Sequence, residues 1–349
     1  MFSGSKIPRL GLLCLGLIGC CVSPFAFADA GALERWHDEI GSGYADLSAS
    51  SASLAQAAHS YCEQDTSTAL TRDSLEQAWR DAFLAWQRVR FVEFGPIQQD
   101  SLTWQFQFWP DPKNLVGKKA RGWLASEREI TGESIGSDSV AVKGFPAIEY
   151  LLFDEQQQQR EDALPTDRAC SLLTTVTQRI EANARRLTSD WQQFRPHYVE
   201  QPAYADDTVL AAMHALEQMK DRRLGAPIGA GGKGRKNPYL ADAWRSGQSL
   251  AAVRASLTGL RDLFLPGLAL RLQGEERQAL YKRFSQQLDG TLERLDRLPP
   301  DMRSLLEDDA GYRQLQLLFL DVERLTTQLS TSIAPELGVV KGFNSSDGD

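Results

Sequence analysis

Apolar side chains recur at spacings of three and four residues along most of this chain of 349 residues. That period places them on one face of an α-helix, and the face must then pack against another element. The clearest stripes lie in residues 72–94, 164–195, 278–298 and 311–333. Strand-like alternation between hairpin turns is nearly absent. The sequence therefore predicts an all-α fold.

The breaks between these stripes predict how the helices are grouped. Residues 222–239 are rich in Gly and basic residues and are interpreted as a loop, as is the Gln-rich stretch at 156–159. About four helices precede residue 200 and about four follow it. We expect two helical bundles packed side by side, residues 29–200 and 201–349, with a single elongated bundle as the alternative.

Residues 95–135 are less regular than the rest of the chain and contain several Gly and Pro residues. We expect short helices joined by ordered loops, because the aromatic side chains of this segment need burial. Those side chains are Trp104, Phe106, Phe108, Trp109 and Trp123.

The first 28 residues have the pattern of a secretory signal peptide. Lys6 and Arg9 precede an apolar run over residues 10–22, and Ala26-Phe27-Ala28 matches a cleavage site. A second interpretation is a lipobox ending at Cys20, which would make Cys20 a lipidated N-terminus. Both interpretations predict export to the periplasm or cell envelope.

Charge and cysteine content narrow the class of partner and the compartment. The formal net charge of −8 argues against nucleic acid and anionic membrane surfaces, so membrane contact is expected only through a lipid anchor at Cys20. Removal of the signal leaves Cys62 and Cys170. They are candidates for one disulfide in an oxidising compartment, with two buried free thiols as the alternative.

Common catalytic motifs are missing from the sequence. It has neither the His-Glu-x-x-His of zinc proteases nor the Gly-x-Ser-x-Gly of serine hydrolases, and the Gly-rich segment does not match a Walker A loop. That segment carries Arg222 and Arg223, which indicates either an anion site or a connecting loop. Arg90 and Glu93, three residues apart, fit either an intrahelical ion pair or an interface.

The stretch Gly144–Phe153, GFPAIEYLLF, places one carboxylate in an apolar run. Burying Glu149 there is unfavourable unless a partner compensates the charge. A metal ion, an ion pair or the free N–H groups of a helix N-terminus could each do so. The residues alone leave these alternatives open.

This stretch resembles the signature segment of the imelysin-like proteins, written Gly-x-His-x-x-Glu in many members. Other blocks resemble the same family, and together they span about residues 40–340, nearly all of the mature chain. One of them, FWPDPKN, is similar to a block of the family's predicted periplasmic or lipoprotein branch. The blocks are WQRVRFVEFGPI (86–97), FWPDPKN (108–114), RRLGAPIG (222–229), NPYLADAWRSGQSL (237–250) and LGVVKGFNSSDGD (337–349).

The resemblance implies a pair of helical bundles with the signature segment at their interface. It also implies an exported protein, many relatives being linked to iron acquisition, and the family is classed among metallopeptidases. The His and Glu of the motif are its proposed metal ligands. Here Gly144 and Glu149 match the motif, but Pro146 stands at the position of the histidine.

A cation site in this chain would therefore have to be rich in oxygen, which suits iron, calcium or magnesium better than zinc. The candidate ligands are Glu149, Glu93, Asp111, Asp347 and Asp349. The remaining residues expected at the interface cleft are Gly144, Pro146, Tyr150, Arg90, Arg222 and Arg223.

These features predict a non-enzymatic imelysin-like envelope protein that serves iron acquisition by binding or as an accessory. An outer-membrane or envelope component of iron uptake is the expected partner. The alternatives are a metallopeptidase of the imelysin type and a structural module that binds other proteins.

Overall fold

The fold is known from a computed structural model, which describes residue 1 and residues 24–63, 72–230 and 234–340. Within these residues the regular structure is entirely helical, so the predicted all-α class is confirmed. None of the helices in this part of the chain is both long enough and apolar enough to span a membrane. The predictions for Cys20, Asp347 and Asp349 concern residues outside the described ones.

The helices are numbered in chain order. They are α1 (Pro24–Glu63), α2 (Arg72–Val89), α3 (Leu102–Phe106), α4 (Leu115–Leu124), α5 (Gly132–Ser137), α6 (Phe145–Phe153), α7 (Glu155–Gln158), α8 (Asp167–Glu200), α9 (Ala203–Gln218), α10 (Ala226–Ile228), α11 (Ser249–Gly259), α12 (Leu265–Arg271), α13 (Glu275–Leu295), α14 (Arg303–Glu307), α15 (Asp309–Thr327) and α16 (Ala334–Glu336). Shorter 3₁₀ turns cover Gly95–Ser101, Val140–Val142 and Pro238–Leu240, and π-helical turns cover Met219–Gly225, Leu260–Phe264 and Gln328–Ile333.

Helix α1 is the central packing element, because it contacts α2 and α8 as well as α12 from the second half of the chain. Its Trp36 is fully buried, stacks on Phe264 with ring centroids 5.8 Å apart, and donates its indole N–H to the Phe264 carbonyl at 2.7 Å. The apolar core is therefore continuous across residue 200. The predicted division there coincides with the end of α8 and stays a prediction.

Helices α2 and α11 also join the two halves, at a contact that only glycine allows. A Cβ atom on Gly259 would lie 1.9 Å from the carbonyl oxygen of Arg88, so any side chain there would force the helices apart. Beside this contact, Ser256 donates to the carbonyl of Gln87 at 3.0 Å. This close approach brings the polar end of α2 next to α11.

A disulfide joins Cys62, near the end of α1, to Cys170, in the first turn of α8. The two cysteines are 108 positions apart in the sequence and their Cα atoms are 5.6 Å apart. These are the two cysteines that remain after residues 1–28. The bond ties the central helix to its main neighbour.

Three local expectations were wrong. Residues 222–228 belong to helical turns rather than to a loop. Residues 156–158 of the Gln-rich stretch lie in α7 rather than in a loop. Gln157 is buried, and its side chain accepts a hydrogen bond from the Tyr150 hydroxyl at 2.9 Å. Trp104 is 46% exposed, whereas Phe106 and Trp123 are buried as expected.

Candidate functional site at the signature segment

Helix α6 carries the signature segment, and Gly144 sets where it begins. Gly144 has extended backbone angles, so its need for glycine comes from space: a Cβ atom would lie 2.2 Å from the carbonyl oxygen of Phe106. Pro146 sits in the first turn, where its missing N–H removes no helical hydrogen bond. The start of α6 is thereby pressed against the end of α3, which fixes the position of every side chain that follows.

Glu149 is 4% exposed and binds the segment that precedes α11. Its Oε1 accepts the backbone N–H of Ser246 at 2.9 Å and the hydroxyl of the same residue at 2.9 Å. Burial raises the pKa of Glu149, while the charge of Arg245 and the bonds from Ser246 act in the opposite direction. The carboxylate thus links the first half of the chain to the second through neutral donors.

Asp242 is a second buried carboxylate, 2% exposed, which the sequence analysis did not identify. Its oxygens accept from Arg90 Nη1 at 3.0 Å and from Gln107 Nε2 at 2.6 Å. Arg223 Nε lies 3.4 Å away as a further ion-pair partner. Two guanidinium groups therefore flank one carboxylate in the interior.

Arg245 connects the same segment to helices α4 and α7. It donates to Asp154 at 2.9 Å and to Asn114 at 2.8 Å. Its guanidinium lies 4.3 Å from the ring centre of Trp244 and 5.6 Å from that of Tyr150. Burial, with a smaller effect of Asp154, raises the pKa of Tyr150 to about 12, so its hydroxyl remains a donor to Gln157.

These groups surround a recess of about 30 Å³, the volume of roughly one water molecule or a small ion. Acidic side chains share its lining with Pro146, which occupies the position of the motif histidine on the same helical face as Glu149. The acids are Asp111, Glu149 and Asp242, and aromatic neighbours include Phe108, Trp109, Tyr239 and Trp244. The recess is too small for a drug-sized organic ligand.

Each acid of the recess already has a structural role. Asp111 accepts the backbone N–H groups of Leu115 and Val116 at 2.7 and 2.9 Å, and so holds the first turn of α4. Glu149 holds Ser246, and Asp242 holds the arginines. Among the described residues, no three His, Cys, Asp or Glu side chains are arranged to hold a metal ion.

Among the described residues, the other predicted site residues do not line this recess. Arg90 and Arg223 reach it through Asp242, whereas Arg222 is exposed. Glu93 is on the surface, where its carboxylate bonds Nδ1 of His214. The ligand roles of Glu149, Glu93, Asp111, Asp347 and Asp349 stay predictions, the last two for residues outside the described ones.

Asp242 is the main residue that the sequence analysis missed. It lies inside the block NPYLADAWRSGQSL, between two alanines, so a carboxylate in an apolar context was the available signal. Its partners are 152, 135 and 19 positions away, and nothing in the local pattern points to them.

The family model for imelysin, peptidase M75, matches residues 40–329 of the chain. Among solved structures, an imelysin-like protein from Psychrobacter arcticum 273-4 superposes with a TM-score of 0.79 at 21% identity, covering 91% of this chain and 98% of the other. A protein from Parabacteroides distasonis ATCC 8503, described as a candidate iron-regulated protein A precursor, superposes with a TM-score of 0.68 at 15% identity, covering 91% and 97%. At these identities the likeness concerns the fold. No curated protein matches the chain.

Proposed function

We propose, from the premise that this chain belongs to the imelysin family, that it is a non-enzymatic binding or accessory protein of the cell envelope that serves iron acquisition. The observation that carries this proposal is the recess at the signature segment. The signature segment keeps Gly144 and Glu149, but it has Pro146 in place of an imidazole, and the Glu149 carboxylate is bonded to Ser246.

The potential metal ligands in the recess support a binding or accessory protein rather than a peptidase. A catalytic metal centre commonly has three protein ligands and one open position for water. Pro146 offers no ligand atom, Asp242 neutralises arginines, and Asp111 holds a helix start. The residues present therefore do not fit a His/Glu metal centre, and no hydrolytic step is assigned to them.

The link to iron and to the envelope has two supports. One is the fold shared with the Parabacteroides protein described as iron-regulated. The other is the expected signal peptide over residues 1–28, with which the Cys62–Cys170 disulfide agrees because such bonds persist in oxidising compartments. Lipidation at Cys20 remains the alternative to cleavage after Ala28.

Peptide cleavage is tested on the purified mature protein with an unfolded protein substrate, with and without a chelator. The matched variant is Glu149→Gln, which keeps the size and the acceptor oxygen of the side chain. We expect no chelator-sensitive cleavage in either protein. Cleavage by the wild type that the chelator abolishes and the variant lacks would establish the metallopeptidase instead.

Cation binding is tested separately, by titrating iron(III), calcium and magnesium into the same two proteins. Heat of binding in the wild type that Glu149→Gln removes supports an oxygen-rich cation site. If none of the three ions gives heat of binding, the cation site is excluded and only an accessory role through partner binding is left.

An accessory role has its own structural support, because large aromatic side chains stand exposed near the recess. Tyr239 is 63% exposed and contacts Trp244 edge to face, and Trp104 is 46% exposed. Tyr and Trp are frequent anchors of protein interfaces. A pull-down of outer-membrane iron-uptake components with wild type and Tyr239→Ala tests this role: retention by the wild type alone supports it, and equal retention argues against this surface.

A further inference from the structure

A second cavity, of about 60 Å³, lies between the end of α2, helix α9, the Met219–Gly225 turn and α11. This cavity and the recess share no lining residue. Asp242 connects them, because it lines the recess and pairs with the arginines that line the cavity. Arg90, Arg223 and Glu93 are the charged residues of its lining, and an apolar wall is formed by Phe91, Met219 and Leu260. Ligand sites commonly combine an apolar wall with a few convergent polar groups, and this cavity has that composition at a size that suits only a very small ligand.

The arginines of this cavity have more donors than the protein satisfies. Arg223 is 4% exposed and donates to Ser256 at 2.7 Å and to Gln87 at 3.0 Å. Its Nε is buried without a hydrogen-bond acceptor in the described part of the chain, since Asp242 at 3.4 Å lacks suitable geometry. A guanidinium carries five N–H donors, so several of those of Arg223 remain for a ligand.

The neighbouring acceptors are already shared. Oε1 of Gln87 receives both Arg223 and Arg90, the latter at 3.3 Å. Oε1 of Gln107 receives Trp86 and Gln87, each at 2.8 Å, and the two oxygens of Asp242 receive Gln107 and Arg90. The network is therefore short of acceptors, and a group that only accepts hydrogen bonds would complete it.

The charges at the cavity favour an anion over a neutral acceptor. The two guanidinium groups face the single buried carboxylate of Asp242, which leaves one positive charge in excess. Glu93 also lines the cavity and balances that charge formally, but its side chain is 42% exposed, so solvent screens its charge, and its carboxylate bonds His214. Burial lowers the pKa of Arg223 to about 10, so it is still charged at neutral pH.

We propose that this cavity binds a small monocarboxylate, with its oxygens on Arg90 and Arg223 and its carbon atoms on Phe91, Met219 and Leu260. The volume corresponds to a few water molecules, which suits a ligand about the size of acetate. Planar carboxylates suit the fork of an arginine side chain. This site goes beyond the proposed function and does not depend on it.

The test is a titration of the mature protein with acetate at neutral pH, in which binding is measured by ligand-observed NMR. Acetamide serves as the neutral analogue. We expect saturable acetate binding and about tenfold weaker acetamide binding, because the charge-assisted bonds are lost. Ala215→Leu places a larger side chain in the cavity from α9, leaves both arginines in the sequence, and should abolish acetate binding. Ala203→Leu, at the exposed start of the same helix, is the matched control and should bind as the wild type does.

Arg223→Met should also abolish binding. If that variant fails to fold, the comparison of Ala215→Leu with Ala203→Leu decides the test. Three results would overturn the proposal. They are no saturable binding of acetate to the wild type, equal binding of acetate and acetamide, and unchanged acetate binding in Ala215→Leu.

Discussion

Glu149 and Asp242 line one recess and are equally buried, yet the protein holds them in opposite ways. Glu149 receives two neutral donors from Ser246, with Arg245 acting only through its field. Asp242 receives charged groups, Arg90 by a hydrogen bond and Arg223 as a close ion pair. The charge on Glu149 can therefore be removed without stranding another charge, whereas that on Asp242 cannot.

The largest effect is expected from Asp242→Asn. The substitution leaves two arginines, one of them fully buried, without their counter-charge. Breaking a buried ion pair from one side costs about 3–5 kcal/mol, and we expect a loss of unfolding free energy of that size. Urea denaturation followed by circular dichroism measures it.

The control for this variant is Asp309→Asn, an exposed carboxylate in the first turn of α15. It should change the unfolding free energy by no more than about 0.5 kcal/mol. Equal losses in the two variants would show that Asp242 is no more important than a surface acid, and the contrast with Glu149 would collapse.

A smaller loss is expected from Glu149→Leu, which keeps the bulk of the side chain but removes its oxygens. The backbone N–H of Ser246 then loses its acceptor, and its hydroxyl keeps only the Ala243 carbonyl at 3.1 Å, at an expected cost of about 1–3 kcal/mol. Glu149→Gln retains an acceptor and should lose less. If both variants unfold at the wild-type urea concentration, the bonds to Ser246 contribute nothing to stability.

Ser246→Ala addresses one of the two bonds alone. The backbone N–H still donates to Glu149, so only the hydroxyl contribution is lost, which is shared between Glu149 and the Ala243 carbonyl and amounts to about 0.5–1.5 kcal/mol. The same urea experiment measures it. A loss as large as that of Glu149→Leu would mean that the backbone bond is not formed in solution.

The smallest effect is a pH dependence specific to Glu149. Its pKa is higher in the folded protein than the ordinary value of 4.5, so above that pH the folded state binds more protons than the unfolded chain does. The unfolding free energy of the wild type should therefore fall, relative to Glu149→Gln, as pH rises from 4.5 through the folded pKa. Urea unfolding of both proteins between pH 4 and 8 gives the difference, and parallel curves would refute the raised pKa.

The fold was predictable because helical stripes are a local property of the sequence. Helices α2, α8, α13 and α15 lie where the periodicity placed them, to within a few residues at their ends. Burial of single aromatic side chains was harder to predict, and Trp104 is the example: size alone indicated burial, but only the packing of α3 decides which ring faces solvent.

The candidate site was predictable only in part. Glu149 was identified because a carboxylate in an apolar run is visible in the sequence. Its partner Ser246 is 97 positions away, and the partners of Asp242 come from just after α2, just after α3 and the Met219–Gly225 turn. Such a network depends on how helices meet in space, and short-range pattern does not encode it.

The disulfide between α1 and α8 encloses more than a hundred residues in a covalent ring. A single proteolytic cut anywhere between Cys62 and Cys170 would therefore leave both pieces attached to each other. On a gel without reductant the nicked protein would migrate as one species, and with reductant it would separate into two fragments. A protein built in this way keeps its two pieces together under proteolysis, and its fragments become visible only when the disulfide is reduced.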